Sequence, residues 1–206
     1  VDRKAADEKM SGKLAANKAL KENALLNAAF DLCSRTDINS ISIDEIVNRA
    51  GVAKGTFYLY FKSKYDLLEG IVVKKASDLM SEALEATKSR AFTDRLDTLT
   101  FFSSYIIDRL SQDKLLTRII YKNLTLTLYH KVLDDPVRGE KLKELVGDFR
   151  NTILGRGFSF GETDRLLFIV LEMMNSTCYS SIVNNEPAPI EEMKPILLKT
   201  IRKIAQ

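Results

Sequence analysis

The sequence predicts an all-α protein of two domains, a small N-terminal three-helix domain followed by a larger helical one. Three observations carry this. Apolar residues recur at helical spacing from Leu20 onward, no stretch alternates as a half-buried strand does, and clusters of Gly, Pro, Asn and Asp interrupt the helical pattern. With 206 residues, 45% hydrophobic and 29% charged, the chain can bury a substantial core and has the composition of a folded globular protein.

Residues 1–18 alternate charge with Ala and Gly12 and lack a sustained apolar stripe, so they are expected to form a flexible arm. Within the domain 19–74, a first helix is expected over 20–34, with Ala24, Ala28 and Leu32 on one face flanked by Leu25 and Ala29. The turn formers Thr36-Asp37-Ile38-Asn39-Ser40 end it. Ser42-Ile43-Asp44-Glu45 then has capping-box spacing: the Ser42 hydroxyl can accept from the Glu45 backbone N–H, and the Glu45 carboxylate can reach back. A short second helix follows, with Ile43, Ile46, Val47 and Ala50 on one face. It stops at Gly51, which can take the left-handed conformation of a tight turn. After Val52-Ala53 a third helix sets Phe57 and Phe61 four apart, facing the core. Ser63-Lys64-Tyr65-Asp66 caps a fourth, running to near Lys88. The domain 75–206 continues as helices over about 93–111, 114–133, 137–154, 162–184 and 190–205.

Net charge is +3. Residues 1–75 hold 13 Lys and Arg against 10 Asp and Glu, while residues 76–206 hold 18 of each. The stretch 49–65 carries Arg49, Lys54, Lys62 and Lys64 with no acid, a small footprint suited to phosphates; a solvated charged face is the plainer alternative. The longest apolar run, from Leu166 to Leu171, is stopped by Glu172 and falls short of the roughly 20 residues a membrane span needs. The N-terminus shows no secretory apolar region, so a cytoplasmic protein without a membrane partner is expected. Cys33 and Cys178 each sit among apolar residues as inert thiols rather than as a pair. The single histidine, His130, sits near a helix end without ligand-spaced partners, so no metal site and no cofactor are expected. No phosphate-binding glycine loop, nucleophile elbow or Cys/His cluster recommends an enzyme, and no catalytic residue is assigned.

A short helix, a glycine-centred turn and a second short helix make a helix-turn-helix, whose second helix enters the DNA major groove. The segment Gly51-Val52-Ala53-Lys54-Gly55-Thr56-Phe57-Tyr58-Leu59-Tyr60-Phe61-Lys62-Ser63-Lys64-Tyr65-Asp66-Leu67-Leu68 resembles the signature of the tetracycline-repressor (TetR) family of bacterial regulators, and with the first helix the resemblance covers about residues 21–72. It implies double-stranded DNA as a partner. The candidate DNA-contacting residues are Ser42, Lys54, Gly55, Thr56, Tyr58, Leu59, Tyr60 and Lys64. Gly55 permits close approach to the DNA backbone, and Thr56 and Tyr58 offer hydroxyls. Lys54, Leu59 and Tyr60 can meet base edges or thymine methyls, and Lys64 a phosphate. Two positions depart from the family. Ala53 stands where Ser or Thr is common and removes a capping hydroxyl; Asp37 stands where Gly is common and is expected to bear a left-handed conformation at some cost.

The resemblance further implies a homodimer built on the last two helices, with Leu166, Ile169, Val170, Met173 and Met174 as candidate interface residues; a helix in the monomer's own core would look the same. It also implies a pocket for a small-molecule effector, for which Phe101, Phe102, Tyr105, Tyr121, Tyr129, Asn175 and Thr177 are candidates, plain core being the alternative. The expected function is a repressor released from a palindromic operator by its ligand. An activator, or a regulator governed by a protein partner, is the alternative within the same fold. An architectural DNA-binding protein is disfavoured by the neutral larger domain.

Overall fold

A computed structural model describes residues 2–124, 138–149, 151 and 160–206. Every regular element among the described residues is helical. The chain divides into two compact units, Val1–Ile71 and Val72–Gln206; the sequence alone places that division after residue 74.

The first unit begins with α1 (Asp2–Cys33). The helix starts at Asp2 rather than near residue 20, so the segment expected as a flexible arm is helical. The apolar stripe does begin late, but Ala, Lys, Glu and Leu dominate the early residues and favour a helix through propensity alone, with Gly12 the main opponent. The buried face of α1 is Leu25, Leu26, Ala28 and Ala29. It packs on α2 (Ile43–Ala50), which contributes Ile46 and Val47 and in turn packs on α3 (Lys54–Tyr60). Phe57 and Phe61, at 0% and 1% exposure, fill the space beneath α3. Burial of each aromatic contributes on the order of 2 kcal/mol or more. Leu67 and Ile71, early in α4 (Lys64–Lys88), complete this core.

Local capping fixes the boundaries. The Ser42 hydroxyl accepts from the Glu45 N–H at 3.1 Å, and the Glu45 carboxylate accepts from the Ser42 N–H at 2.8 Å, which is the capping box expected from spacing. Gly51 adopts φ 68° and ψ 33°, the left-handed turn between α2 and α3. Asp37 does not: it is extended, φ −69° and ψ 146°. Its carboxylate instead accepts from the Asn39 N–H at 2.9 Å and caps a 3₁₀ turn over Ile38–Ser40, so the expected left-handed cost is not incurred.

The second unit holds the rest of α4, then α5 (Arg95–Gln112), α6 (Lys114–Asn123), α7 (Arg138–Phe149), α8 (Phe160–Cys178) and α9 (Ile190–Ile204). Asp94 and Asp113 cap α5 and α6 by accepting from the N–H groups of Leu96 and Leu116 at 2.7 and 2.9 Å. α6 ends at Asn123 rather than near 133. Leu124, its C-cap, leaves the helix at ψ 90°. α8 continues in π-helical geometry over Tyr179–Asn184 and stops at left-handed Asn185. The stretch Arg165–Asn184 is long and apolar enough by length and composition to cross a membrane, which the shorter run from Leu166 to Leu171 does not suggest. Its Leu166, Leu167, Val170, Met174, Cys178 and Ile182 are buried in the unit's core, with α5 residues such as Leu99, Phe102 and Ile107, and core packing accounts for that part of its composition.

Candidate nucleic-acid interface

α3 presents one buried and one open face, and the contrast comes from its sequence. Phe57 and Phe61 point inward; Tyr58 and Leu59 are 55% and 78% exposed, Lys54 and Gly55 are also exposed, and Thr56 and Tyr60 are half-buried. Tyr58 rests its ring edge on Phe57, centroids 5.3 Å apart, which fixes the ring and leaves the hydroxyl end free to project. An exposed leucine at the centre of a short helix serves no purpose in the unit's own core. Gly55 is similar: a Cβ there would meet nothing within 4 Å, and its backbone does not have the positive φ that demands glycine. The fold therefore does not require glycine at this position. Ala53 stands at the N-cap of α3 without a side-chain hydrogen bond, as its methyl dictates.

The cations are less free than their spacing suggests. Lys54 sits in the fork of the Asp44 carboxylate, 2.8 Å from Oδ1 and 3.0 Å from Oδ2, and this hydrogen bond, then the carboxylate charge, raises its pKa above the ordinary lysine value. Arg49 pairs with Asp31 at 3.1 Å, joining α2 to α1. Lys64 donates to the carbonyls of Asn39 at 2.7 Å and Ile41 at 3.3 Å. Next to it the Tyr65 hydroxyl donates to Asn39 Oδ1 at 2.9 Å. These two residues pin the start of α4 to the 3₁₀ turn, so Lys64 has a structural task that competes with phosphate binding. Ser42 is similarly committed, because its hydroxyl donates to the Glu45 carboxylate at 2.7 Å while accepting from the Glu45 N–H. The hydrogen bond from Ser42 lowers the Glu45 pKa below the ordinary range. Lys62 is exposed, and its backbone N–H donates to the Asp66 carboxylate at 2.9 Å.

The aromatics, hydroxyls and glycine of α3 are thus held on a phenylalanine platform behind a glycine turn. Residues 25–71, the span of this platform, match the family described as bacterial regulatory proteins, tetR family. The match is to this domain and does not extend into the second unit. Beyond the domain match, the chain is 39% identical over 74 residues to the HTH-type transcriptional regulator YvdT of Bacillus subtilis (strain 168), covering 36% of each chain. It is 31% identical over 67 residues to the fatty acid metabolism regulator protein of the same organism, covering 32% of this chain and 34% of that one. The likeness thus spans about a third of the length of these relatives. At the level of fold the similarity is wider. The transcriptional regulator FadR from Bacillus subtilis, crystallised with stearoyl-CoA, superposes with a TM-score of 0.63 at 22% identity over 86% of this chain and 96% of that chain. A TetR transcriptional regulator from Rhodococcus sp. RHA1 does so with 0.62 at 18%, over 92% and 95%.

The second unit holds a cavity of about 140 Å³ among α4, α5, α6, α7 and α8. Its wall is chiefly aliphatic, including Val73, Leu79, Met80, Ile106, Leu110, Ile120, Leu167 and Leu171, with Ser77, Glu172 and Asn175 as polar groups. Of the aromatic and polar candidates, Phe102 and Asn175 line it. Phe101 does not; it packs on Phe92 at 5.3 Å, with the Arg90 guanidinium 4.3 Å from its ring centroid. Tyr121 instead stacks on Tyr179, centroids 3.9 Å apart and planes 12° from parallel. Tyr105 is packed against the core, and neither it nor Thr177 lines the cavity. Tyr129 and His130 lie outside the described residues. Sequence reasoning looked for aromatics and missed the aliphatic wall; the neighbouring small residues Ala76 and Ser77 on α4, which leave room beside larger side chains, were the available signal.

Leu166, Val170 and Met174, expected in a dimer interface, are at most 7% exposed and belong to the chain's own core. They recur every four residues and so occupy the single stripe that the unit itself covers. Met173 packs against that core from its edge. Ile169 is 48% exposed, beside Phe168 at 42%, and α9 exposes Ile196 at 60% and Ile204 at 41%.

Proposed function

We propose that the chain is a sequence-specific DNA-binding transcriptional regulator that works in the cytoplasm as a homodimer and represses until a small molecule releases it from a near-palindromic operator. The observation that carries this is the open face of α3: Tyr58 and Leu59 project while Phe57 and Phe61 are sealed beneath them, the arrangement a major-groove reader needs. Lys54, Gly55, Thr56, Tyr58, Leu59 and Tyr60 are the groups that meet DNA, while Lys64 and Ser42 act mainly by holding the helices in place. Exposed Phe168, Ile169, Ile196 and Ile204 on α8 and α9 are the surface a second copy would cover.

The aliphatic wall of the cavity supports an effector with an aliphatic body. The relatives lend weight: one is a fatty acid metabolism regulator, and the FadR structure holds stearoyl-CoA. The sign of regulation follows from the bound state. If the effector prefers a conformation with wrongly spaced recognition helices, it lowers DNA affinity in proportion to that preference. Activation is the second reading, favoured by a 28% identity over 103 residues to the HTH-type transcriptional activator FasR of Mycolicibacterium smegmatis.

Selection of binding duplexes from a random pool tests the reading. A palindromic motif with half-sites about 34 Å apart, or a multiple, is the expected result. It should disappear with Tyr58→Ala. Titrating the selected duplex complex with acyl-CoA esters of increasing chain length should dissociate it; no enriched motif would sink the regulator reading, and no response to any ester would sink the aliphatic effector.

A further inference from the structure

We infer that the effector is an acyl derivative with an uncharged carbonyl, an ester, thioester or amide, and that Ser77 and Asn175 donate to this carbonyl while Glu172 turns away the free fatty acid. The inference rests on the reading of the cavity as the seat of an aliphatic effector.

Two helices supply these groups, and each does so from within an apolar stripe. On α4 the cavity is lined at i, i+3, i+4 and i+7 by Val73, Ala76, Ser77 and Met80. On α8 it is lined at i, i+4, i+7 and i+8 by Leu167, Leu171, Met174 and Asn175, with Glu172 at the exposed edge of the stripe. Ser77 is 9% exposed and Asn175 half-buried, and neither side chain has a hydrogen-bond partner among the described residues. Ser103 and Ser181 are also buried without a partner, but they do not line the cavity, so no guest reaches them. The Ser77 hydroxyl and the Asn175 amide open on a space.

An apolar residue at either position would complete the aliphatic wall and spare the free protein an unpaired polar group. A guest that brings an acceptor removes that cost. A carbonyl oxygen has two lone pairs, one for the Ser77 O–H and one for the Asn175 N–H. The hydrocarbon chain then lies against the aliphatic wall, and the carbonyl fixes its position. A free carboxylate is a poorer guest. No cation stands among the described residues of the wall to neutralise it, burying an unpaired charge is far costlier than burying an ester, and Glu172 adds the repulsion of a like charge.

The test is equilibrium dialysis of the full chain against methyl octanoate, methyl octyl ether and octanoate at about pH 8, where octanoic acid is fully ionised. Wild type should hold the ester about tenfold or more tightly than octanoate. Ser77→Ala and Asn175→Leu should each weaken the ester about fivefold and leave the ether, which lacks the carbonyl, within about twofold. Glu172→Gln should tighten octanoate about three- to fivefold more than the ester, and added salt should shrink that gain. Ser77→Ala should also keep or raise the melting temperature, because it removes an unpaired buried hydroxyl.

Equal losses for ester and ether would mean that Ser77 and Asn175 only shape the wall, and an unchanged ester affinity would put the carbonyl elsewhere; either overturns the proposal. Octanoate bound as tightly as the ester overturns it too, and octanoate unmoved by Glu172→Gln overturns the part given to Glu172. Thermal melts monitor folding, and Asn175→Ala substitutes if Asn175→Leu does not fold. If none of the three probes binds, the aliphatic effector reading fails and this inference with it; probes that bind without discrimination remove the inference alone.

Discussion

Gly55→Ala should make the protein more stable and a poorer DNA binder, and the two effects come from different causes. In the free chain a methyl group at this position meets nothing within 4 Å, and the residue already has helical backbone geometry in an exposed first turn. The substitution therefore adds no clash and removes only the excess freedom that glycine has in the unfolded chain, worth about 0.5–1 kcal/mol in a helix and nearer the lower end at a helix start. For a unit of this size, about 0.5 kcal/mol corresponds to a rise of roughly 2–4 °C in melting temperature. On DNA the same methyl stands between α3 and the backbone it approaches. Losing one charge-assisted hydrogen bond to phosphate costs on the order of 1.5–3 kcal/mol, about tenfold or more in affinity. Circular dichroism melts and anisotropy titrations on the selected duplex measure the two effects separately. Unchanged DNA affinity would refute the assignment of Gly55 to close approach, and a lower melting temperature would refute the claim that the fold has room for the methyl.

Leu59→Ala removes a side chain that is 78% exposed, so stability should stay within about 0.5 kcal/mol of wild type while the preferred DNA sequence changes at one base position in each half-site; repeated selection reads this out. Gly51→Ala forces a Cβ into a left-handed turn at φ 68°, with no neighbour to clash; the cost should be about 1–2 kcal/mol by urea melt, and Gly51→Asn should cost less. Burial pushes the Cys178 thiol up to about 12 from its ordinary 9.0. The folded state thus favours the protonated thiol, so this contribution is complete below about pH 9 and is lost as the pH rises towards 12, at about 1.4 kcal/mol per pH unit. The alkaline decline in wild-type stability should accordingly be steeper than in Cys178→Ala. Ala76→Phe, which projects a ring into the cavity, should leave DNA affinity unchanged and abolish the response to acyl-CoA esters; a retained response would place the effector elsewhere.

The small unit was readable because each of its boundaries is set by a few adjacent residues. The Ser42–Glu45 box, the turn at Gly51 and the phenylalanines four apart are local rules, and a single sequence displays them in full. The start of α1 was misread because a helix without an apolar stripe leaves no period to detect, only propensity. Lys64 looked like a phosphate ligand because spacing reveals a charge but not its partner, and Asn39 lies too far back in the chain to be paired with it by pattern. In the larger unit the limits were set by tertiary packing. The period of α8 identifies an apolar helix, but it does not say that Leu166, Val170 and Met174 meet α5 while Phe168 and Ile169 stay uncovered. The cavity is a gap between five helices, and its wall takes one or a few residues from each of them.

The tyrosines also give the molecule an optical property. The chain has 7 Tyr and no Trp, so its intrinsic emission comes from tyrosine alone. Tyr58 and Tyr60 lie on α3, and their fluorescence would be quenched by neighbouring bases when the helix enters DNA. Tyr121 and Tyr179, stacked almost in parallel at 3.9 Å, form a separate pair in the other unit whose excited states couple at that distance. One unlabelled sample therefore carries tyrosine reporters in both units, and replacing Tyr58 and Tyr60 with phenylalanine would remove the contribution of α3 and leave that of Tyr65, Tyr105, Tyr129 and the stacked pair.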